Sequence, residues 1–467
     1  MEPPHSLLVA FNRFGVGIRG GAAMYLTGSG GDPRALVLSE LKNNPTISQG
    51  TILQSSRDLL QTLFVEQKAV QETRSAQLAT PSIHDPNIPK PVLQQPNVAQ
   101  DIYRQEALVR FQQAFRAPCG ILERLTAFWA NHFAVSCQKA PFVRMTAGAF
   151  EREAIRPHIL GRFRDMARAV VQHPTMLFYL DNAQSVGPES IVAKSNPKRG
   201  LNENLAREIL ELHTLGVNGG YTQADVTALA KIITGWTYSG PDGRLGPPGS
   251  FVFEPRWHEP GLQILLKKTF GQDGVGQGEA ALDMLSTQPA TALFIATKLA
   301  RHFIADVPPP SLIKQLAKTF LETGGDLGAV AHRLVSSQEA WSLPLTKMRT
   351  PRDFVIASMR LLNRTPEEPQ RMLSALNMLG EPLWSPPGPN GFPDMSAAWM
   401  TPEQLQLRLD LSAQLARQVR DPPNPSDLLD EAFGAAASEA TRIAVRRAES
   451  KQQGLALLLM APEFQKR

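Results

Sequence analysis

Apolar residues along this chain recur mostly at the spacing of a helix rather than in the alternation of a strand, which predicts a nearly all-α protein. Asp32-Pro33 opens one helix that runs to about Asn43, and "SSRDLLQTLFVEQKAVQETRSAQL" reads as a longer one. Five prolines between Pro81 and Pro96 forbid regular structure, so residues 79–97 are expected to be a connector or loop. Helices resume at "DIYRQEALVRFQQAFR", "ILERLTAFWANHF" and "AGAFEREAI". Arg156-Pro157 predicts a fresh helix to Gln172, ended by His173-Pro174. Further helices are expected over 278–287, 290–304, 310–322, 326–339, 350–364 and 367–379. A Pro/Gly-rich loop at 380–402 follows, then three helices to the end. "GSFVFEP" is the best strand candidate, so the expected fold is a single large multi-helix unit with a minor β-hairpin or short strands near 250–265. No repeat of fixed period is found.

The stretch "LNENLAREILELHTLGVNGGYTQADVTALAKIITGW" carries the densest polar chemistry. At about 100° per residue, Leu205, Ala206, Ile209, Leu210 and Leu212 share one apolar face, and His213 projects into its middle. Glu203, Arg207 and Glu211 form an i, i+4, i+8 row on the other side, with Glu208 at the opposite border. One reading is a solvated Glu–Arg face and a core histidine bonded to a backbone carbonyl. The other is a cleft in which Glu203 or Glu208 acts as an acid, oriented by Arg207 and His213. Inward Glu and His side chains could also hold a divalent metal, although the paired Glu-x-x-His of di-iron bundles is missing. Gly216 and Asn218-Gly219-Gly220 end this helix, and Thr222 with Asp225 caps the next. A DNA-reading helix-turn-helix would need exposed basic or amide groups early in that second helix; it offers Gln223 and only a distant Lys231.

Composition narrows the function classes. The net charge of +5 over 467 residues lacks the concentrated basic stripe of a nucleic-acid binder, so no DNA partner is expected. Cys119 and Cys137 have neither metal-ligand nor redox spacing and are expected to be reduced and buried. No stretch approaches the roughly 20 apolar residues of a membrane span. The first residues have no basic leader segment, which points to the cytoplasm.

"NENLAREILELHTLGVNGGYTQADV" resembles the signature of a large bacterial family known as domain-of-unknown-function family 1800. "FNRFGVG", "LTAFWANHF", "IRPHILGRFRDMARAVVQHPTMLFYLDN", "PATALFIATKLARHF", "GEPLWSPPGPNGFP" and "APEFQKR" resemble its other landmarks, in order and across almost the whole chain. The resemblance implies one family-length helical domain over 1–467, and no established reaction. It also implies an association with a sulfatase-like exported protein, and an envelope, periplasmic or secreted setting as the alternative to the cytoplasm.

Other candidates lie outside the signature helix. Asn131 and His132 are expected on a pocket wall with Trp129 as a platform for a sugar or other flat ligand, or else as aromatic packing around a bonded histidine. Asp181 either caps the next segment with Asn182 or faces Glu203 or Glu208. His258, beside Glu259 in a Gly/Pro-rich loop, is a pocket-rim candidate. "GQDGVGQGEAALDML" lacks the Lys-Ser/Thr of a phosphate loop and reads as a plain loop before a helix. Neither Gly-x-Ser-x-Gly nor His-Glu-x-x-His occurs. The leading expectation is therefore a hydrolase or lyase acting on a glycan or cell-envelope polymer. Glu203 or Glu208 would be acid/base, Arg207 and His213 orienters, and Asn131, His132, Trp129, Asp181 and His258 binding residues. The alternatives are a non-catalytic helical binding or assembly module with a buried Glu–Arg–His network, and a Glu/His metalloprotein.

Overall fold

The computed structural model describes residues 5–19, 31–43, 53–79 and 97–467; almost all of the expected 79–97 connector lies outside them. The chain is mostly helical, and one contiguous apolar cluster runs from Leu7 to Phe464. The expected Asp-Pro entry is a helix at Pro33–Glu40, where Asp32 Oδ1 accepts from Arg34 N at 2.9 Å. Thr222 and Asp225 form a reciprocal capping box on Gln223–Ile232. Among the described residues, β structure is limited to two antiparallel pairs: β1 (Trp236–Tyr238) with β2 (Phe251–Phe253), and β3 (Gln263–Leu265) with β4 (Lys268–Phe270). The "GSFVFEP" strand is thus real, and its partner begins at Trp236, just beyond a helix end.

Several boundaries differ from the sequence expectation. No helix runs from Arg156 to Gln172: a short 3₁₀ turn covers Arg156–His158, and the helix starts at Phe163. That helix ends at Val171, just before His173-Pro174 as expected, and His173 also caps the next one: its Nδ1 accepts from Thr175 N while Nε2 donates to Glu153 at 3.1 Å. The Gly-rich 271–278 segment is partly helix (Val275–Ser286), since Gly278 lets that helix lie against the Trp236 ring; a Cβ there would come within 2.3 Å of it. The C-terminal part holds five helices rather than three: Pro402–Arg417, Pro425–Phe433, Glu439–Arg446, Lys451–Met460 and the single turn Pro462–Gln465.

The core is stitched by arginines. Arg13, Arg124, Arg349, Arg360, Arg408 and Arg467 are all fully buried. Arg360 donates to the carbonyls of Gly17, Ala114, Phe115, Ala117 and Pro118. Arg13 reaches the carbonyls of Ala340, Leu343 and Pro344, and Arg349 Nη2 donates to Asn12 Oδ1 at 2.7 Å. "FNRFGVG" is therefore a structural lock: Arg13 and Asn12 bind the 340–349 segment, and a Cβ on Gly15 would meet the Cys119 carbonyl at 2.5 Å. Both cysteines are free and buried, as expected of thiols outside any framework.

Candidate functional site

The signature helix does not run at a uniform pitch. Asn204–Glu208 is α-helical, and Ile209–His213 continues as a π-turn. Such wide turns rotate the residues after them and recur at functional sites. Glu203 and Arg207 pair at 3.3 Å on a partly exposed surface, with side-chain exposures of 30% and 41%. Thr227 Oγ1 and Gln223 Nε2 donate to Glu203 at 2.6 and 2.8 Å; with Arg207 they hold its carboxyl below the ordinary range. This is the solvated row that helical spacing implies. Glu208 is half-buried; burial and the neighbouring Glu211 carboxylate push its pKa up, against Arg207. Tyr221 Oη donates to Glu211 at 3.3 Å.

His213 points the other way, into the core, and neither of its ring nitrogens has a hydrogen-bond partner. The expected carbonyl bond is missing. Burial, then the nearby Lys298 charge, lowers its pKa to about 3, so the ring is neutral. The expected buried Glu–Arg–His network is therefore not formed by these residues: the Glu–Arg pair faces solvent and the imidazole faces the core.

His132 joins His213 there, with ring centroids 6.2 Å apart. His132 Nε2 lies 3.1 Å from the His213 carbonyl, which can only accept, so Nε2 carries the proton. Nδ1 is then the lone-pair nitrogen, and Lys298 Nζ donates to it at 3.0 Å. Burial first, then Lys298 and His213, holds His132 well below the ordinary histidine value. Lys298 itself is half-buried by accessible area, yet protein surrounds its amine closely enough for burial to dominate its ionisation. Its pKa falls to about 8, with Asp394 opposing the drop and Arg301 adding to it. Phe294 lies under the amine at 5.4 Å. The result is an amine poised near neutrality between two neutral imidazoles.

A chain of charges continues from this centre. His302, one turn after Lys298 on Pro289–Phe303, has Nδ1 3.1 Å from Asp394 Oδ1. Asp394 also neighbours Lys347 at 3.7 Å and Arg467 at 3.8 Å. Lys347 binds Asp306 at 2.9 Å, and Arg467 and Arg124 each bind Asp353 at 3.1 Å. Buried ionic networks of this kind do exist in the fold, but on other residues; a second one links Arg110, Glu123, Glu151 and Arg156.

The remaining candidates are spread out. Trp129 is fully buried and packs edge-on to His132 at 5.3 Å, so it is core rather than a ligand platform. Asn131 clamps the 380–402 loop: Nδ2 donates to Phe392 O at 2.9 Å and Oδ1 accepts from Phe392 N at 2.8 Å. It also lines a cavity of about 60 Å³ with Glu151, Glu381, Arg352 and Trp384. Asp181 precedes the Asn182–Gln184 turn without a side-chain cap bond, and its carboxylate pairs with Lys139 at 2.8 Å rather than with any residue of the signature helix. His258 Nδ1 meets Thr234 O at 2.9 Å, while Glu259 accepts from Glu189 N and pairs with Lys231, so this pair staples its loop.

Lys298, His302 and Asp394 escaped the sequence reading. The available signal was a Lys298/His302 pair at i, i+4, on the edge of a stripe formed by Ile295, Leu299 and Phe303. No cluster of three or more His, Cys, Asp or Glu able to hold a metal occurs among the described residues, and no helix among them is long and apolar enough to cross a membrane. A family model described as "Protein of unknown function (DUF1800)" matches residues 9–466. Neither a curated protein nor a solved structure matches the chain.

Proposed function

We propose a function for this chain from the premise that it belongs to the DUF1800 family of proteins of unknown function: it is an acid/base enzyme of the hydrolase or lyase kind, with Lys298 as the base. One observation carries this reading. Lys298 donates to His132 Nδ1 at 3.0 Å, beside a buried His213 with both nitrogens unpartnered. Buried polar atoms without partners are rare, and one explanation is a group held ready for a reacting partner. A base works best when its pKa lies near the working pH, and a desolvated lysine meets that condition.

The lyase branch fits this centre better than hydrolysis. Glycoside hydrolysis ordinarily uses two carboxylates across the scissile bond. An amine beside neutral imidazoles instead suits removal of a proton from carbon next to a carboxylate. The C–H electrons form the C=C bond, the C–O bond to the leaving sugar breaks, and the leaving oxygen collects a proton. The substrate class is therefore an acidic glycan or envelope polymer, which also suits the +5 net charge. A sulfatase-like partner would act on the same class of polymer.

A second reading keeps the base or acid on Glu208, whose carboxyl burial and Glu211 push up. The two separate in one experiment: a panel of uronate-containing and neutral polymers, with unsaturated product read by ultraviolet absorbance. Lys298→Met is expected to lower kcat by about 10²-fold or more while keeping the fold, the range for a lost general base. Glu208→Gln is expected to retain activity within a few-fold. The reverse result moves the site to Glu208, and full activity in both variants removes the reading.

A further inference from the structure

The loop 380–402 contains no regular element apart from a 3₁₀ turn at Ser396–Trp399, yet it is tied down along its length. Tyr103 Oη donates to Leu383 O at 3.1 Å, Cys137 N to Trp384 O at 2.8 Å, and Trp384 Nε1 to Glu151 at 3.0 Å. In its middle, the Asn131 amide bonds both the N–H and the C=O of Phe392. Gly391, at φ +76°, makes room for that contact: a Cβ would lie 2.4 Å from Asn131 O and 2.6 Å from its Oδ1. Asp394 lies two residues after Phe392.

We propose that Asn131 is a positioning residue: by fixing Phe392 on both sides, it sets the place of Asp394 as the carboxylate facing the helix edge that bears Lys298 and His302. Sequence and structure converge here, because Asn131 and His132 are neighbours with divided tasks. His132 bonds the amine directly, and Asn131 places the counter-charge through the loop. The groups around Lys298 are His132, His213 and Arg301, with Asp394 as the acidic one. Those around Asp394 are His302, Lys347, Arg467 and Arg124. Asp394 opposes the fall in the Lys298 pKa, so moving it away lets that pKa fall further.

The inference rests on the reading of Lys298 as the working base, and its test separates the two. The ionisation of Lys298 is followed in the full chain by pH-dependent amine labelling and peptide mass spectrometry, in the wild type, Asn131→Ala, Gly391→Ala and Asp394→Asn. Near-ultraviolet circular dichroism identifies any variant that fails to fold, and Gly391→Ala disturbs the same contact from the loop side. Expected are midpoints below the wild type in all three variants, with Asn131→Ala and Gly391→Ala reaching at least half the Asp394→Asn shift. A shift in Asp394→Asn alone, or in none, overturns the positioning role. An ordinary lysine midpoint in the wild type instead strikes at the base assignment, whatever the variants do.

Discussion

Arg207 and Arg360 show how little residue type says about weight. Arg207 holds one partly exposed pair with Glu203 at 3.3 Å, and exposed pairs contribute about 0–1 kcal/mol. Arg207→Ala is therefore expected to move the melting temperature by no more than a few degrees. Arg360→Ala leaves five carbonyls without their buried donor, and an unsatisfied buried acceptor costs about 1–3 kcal/mol. Thermal melts of the two variants should differ by ten degrees or more; equal melts would contradict the lock. The buried imidazoles add a pH signature. His213 titrates near 3 when folded, below its unfolded value, so between these the unfolded chain binds more protons. Its contribution is full above about pH 6.5 and is lost as pH falls toward 3. The melting temperature should fall over that window, and His213→Gln should flatten part of the slope; an unchanged slope would contradict a neutral buried ring. At this scale the sequence reading located His213 as an inward imidazole from helical spacing, and left His132 between a pocket wall and aromatic packing. It passed over Lys298 because a lysine at the edge of an apolar stripe reads as a solvated side chain, and only the tertiary neighbours remove its water.

Elements were legible where caps and periodicity agreed, as at Asp32-Pro33, Thr222 and the 350–364 helix, observed at Pro351–Leu361. They were illegible where a helix changes pitch. The π-turn at Ile209–His213 has no signature in a pattern of apolar residues, so the uniform wheel kept Glu208 and His213 closer in role than they are. The Gly-rich run shows the opposite failure: the expected helix began at Gly278, whereas it begins at Val275, and Gly278 lies inside it against the Trp236 ring. Alanine normally improves a helix interior by about 0.5–1 kcal/mol over glycine. Gly278→Ala should instead destabilise by about 1–3 kcal/mol, the usual cost of overpacking. Denaturant unfolding that shows a gain would mean the contact with Trp236 relaxes freely.

Across the whole molecule, the polar interior joins distant parts of the chain. Arg467 donates to the His302 carbonyl at 2.8 Å and binds Asp353, while its own backbone pairs with Lys347. Burial alone would raise the Asp353 carboxyl, but Arg124, Arg352, His302 and Arg349 outweigh it and hold it far below the ordinary carboxylate range. Arg467→Ala should therefore lower a single transition seen alike by circular dichroism and fluorescence, not fray one end. The same interior places the candidate base, since His132, His213 and Lys298 come from three separate helical segments brought together by packing. The most direct test of the account is the ionisation midpoint of Lys298 in the wild-type protein, read by pH-dependent amine labelling. The account predicts a midpoint of about 8. A midpoint near the free-lysine value of about 10.4 would contradict it and leave the centre as packing alone.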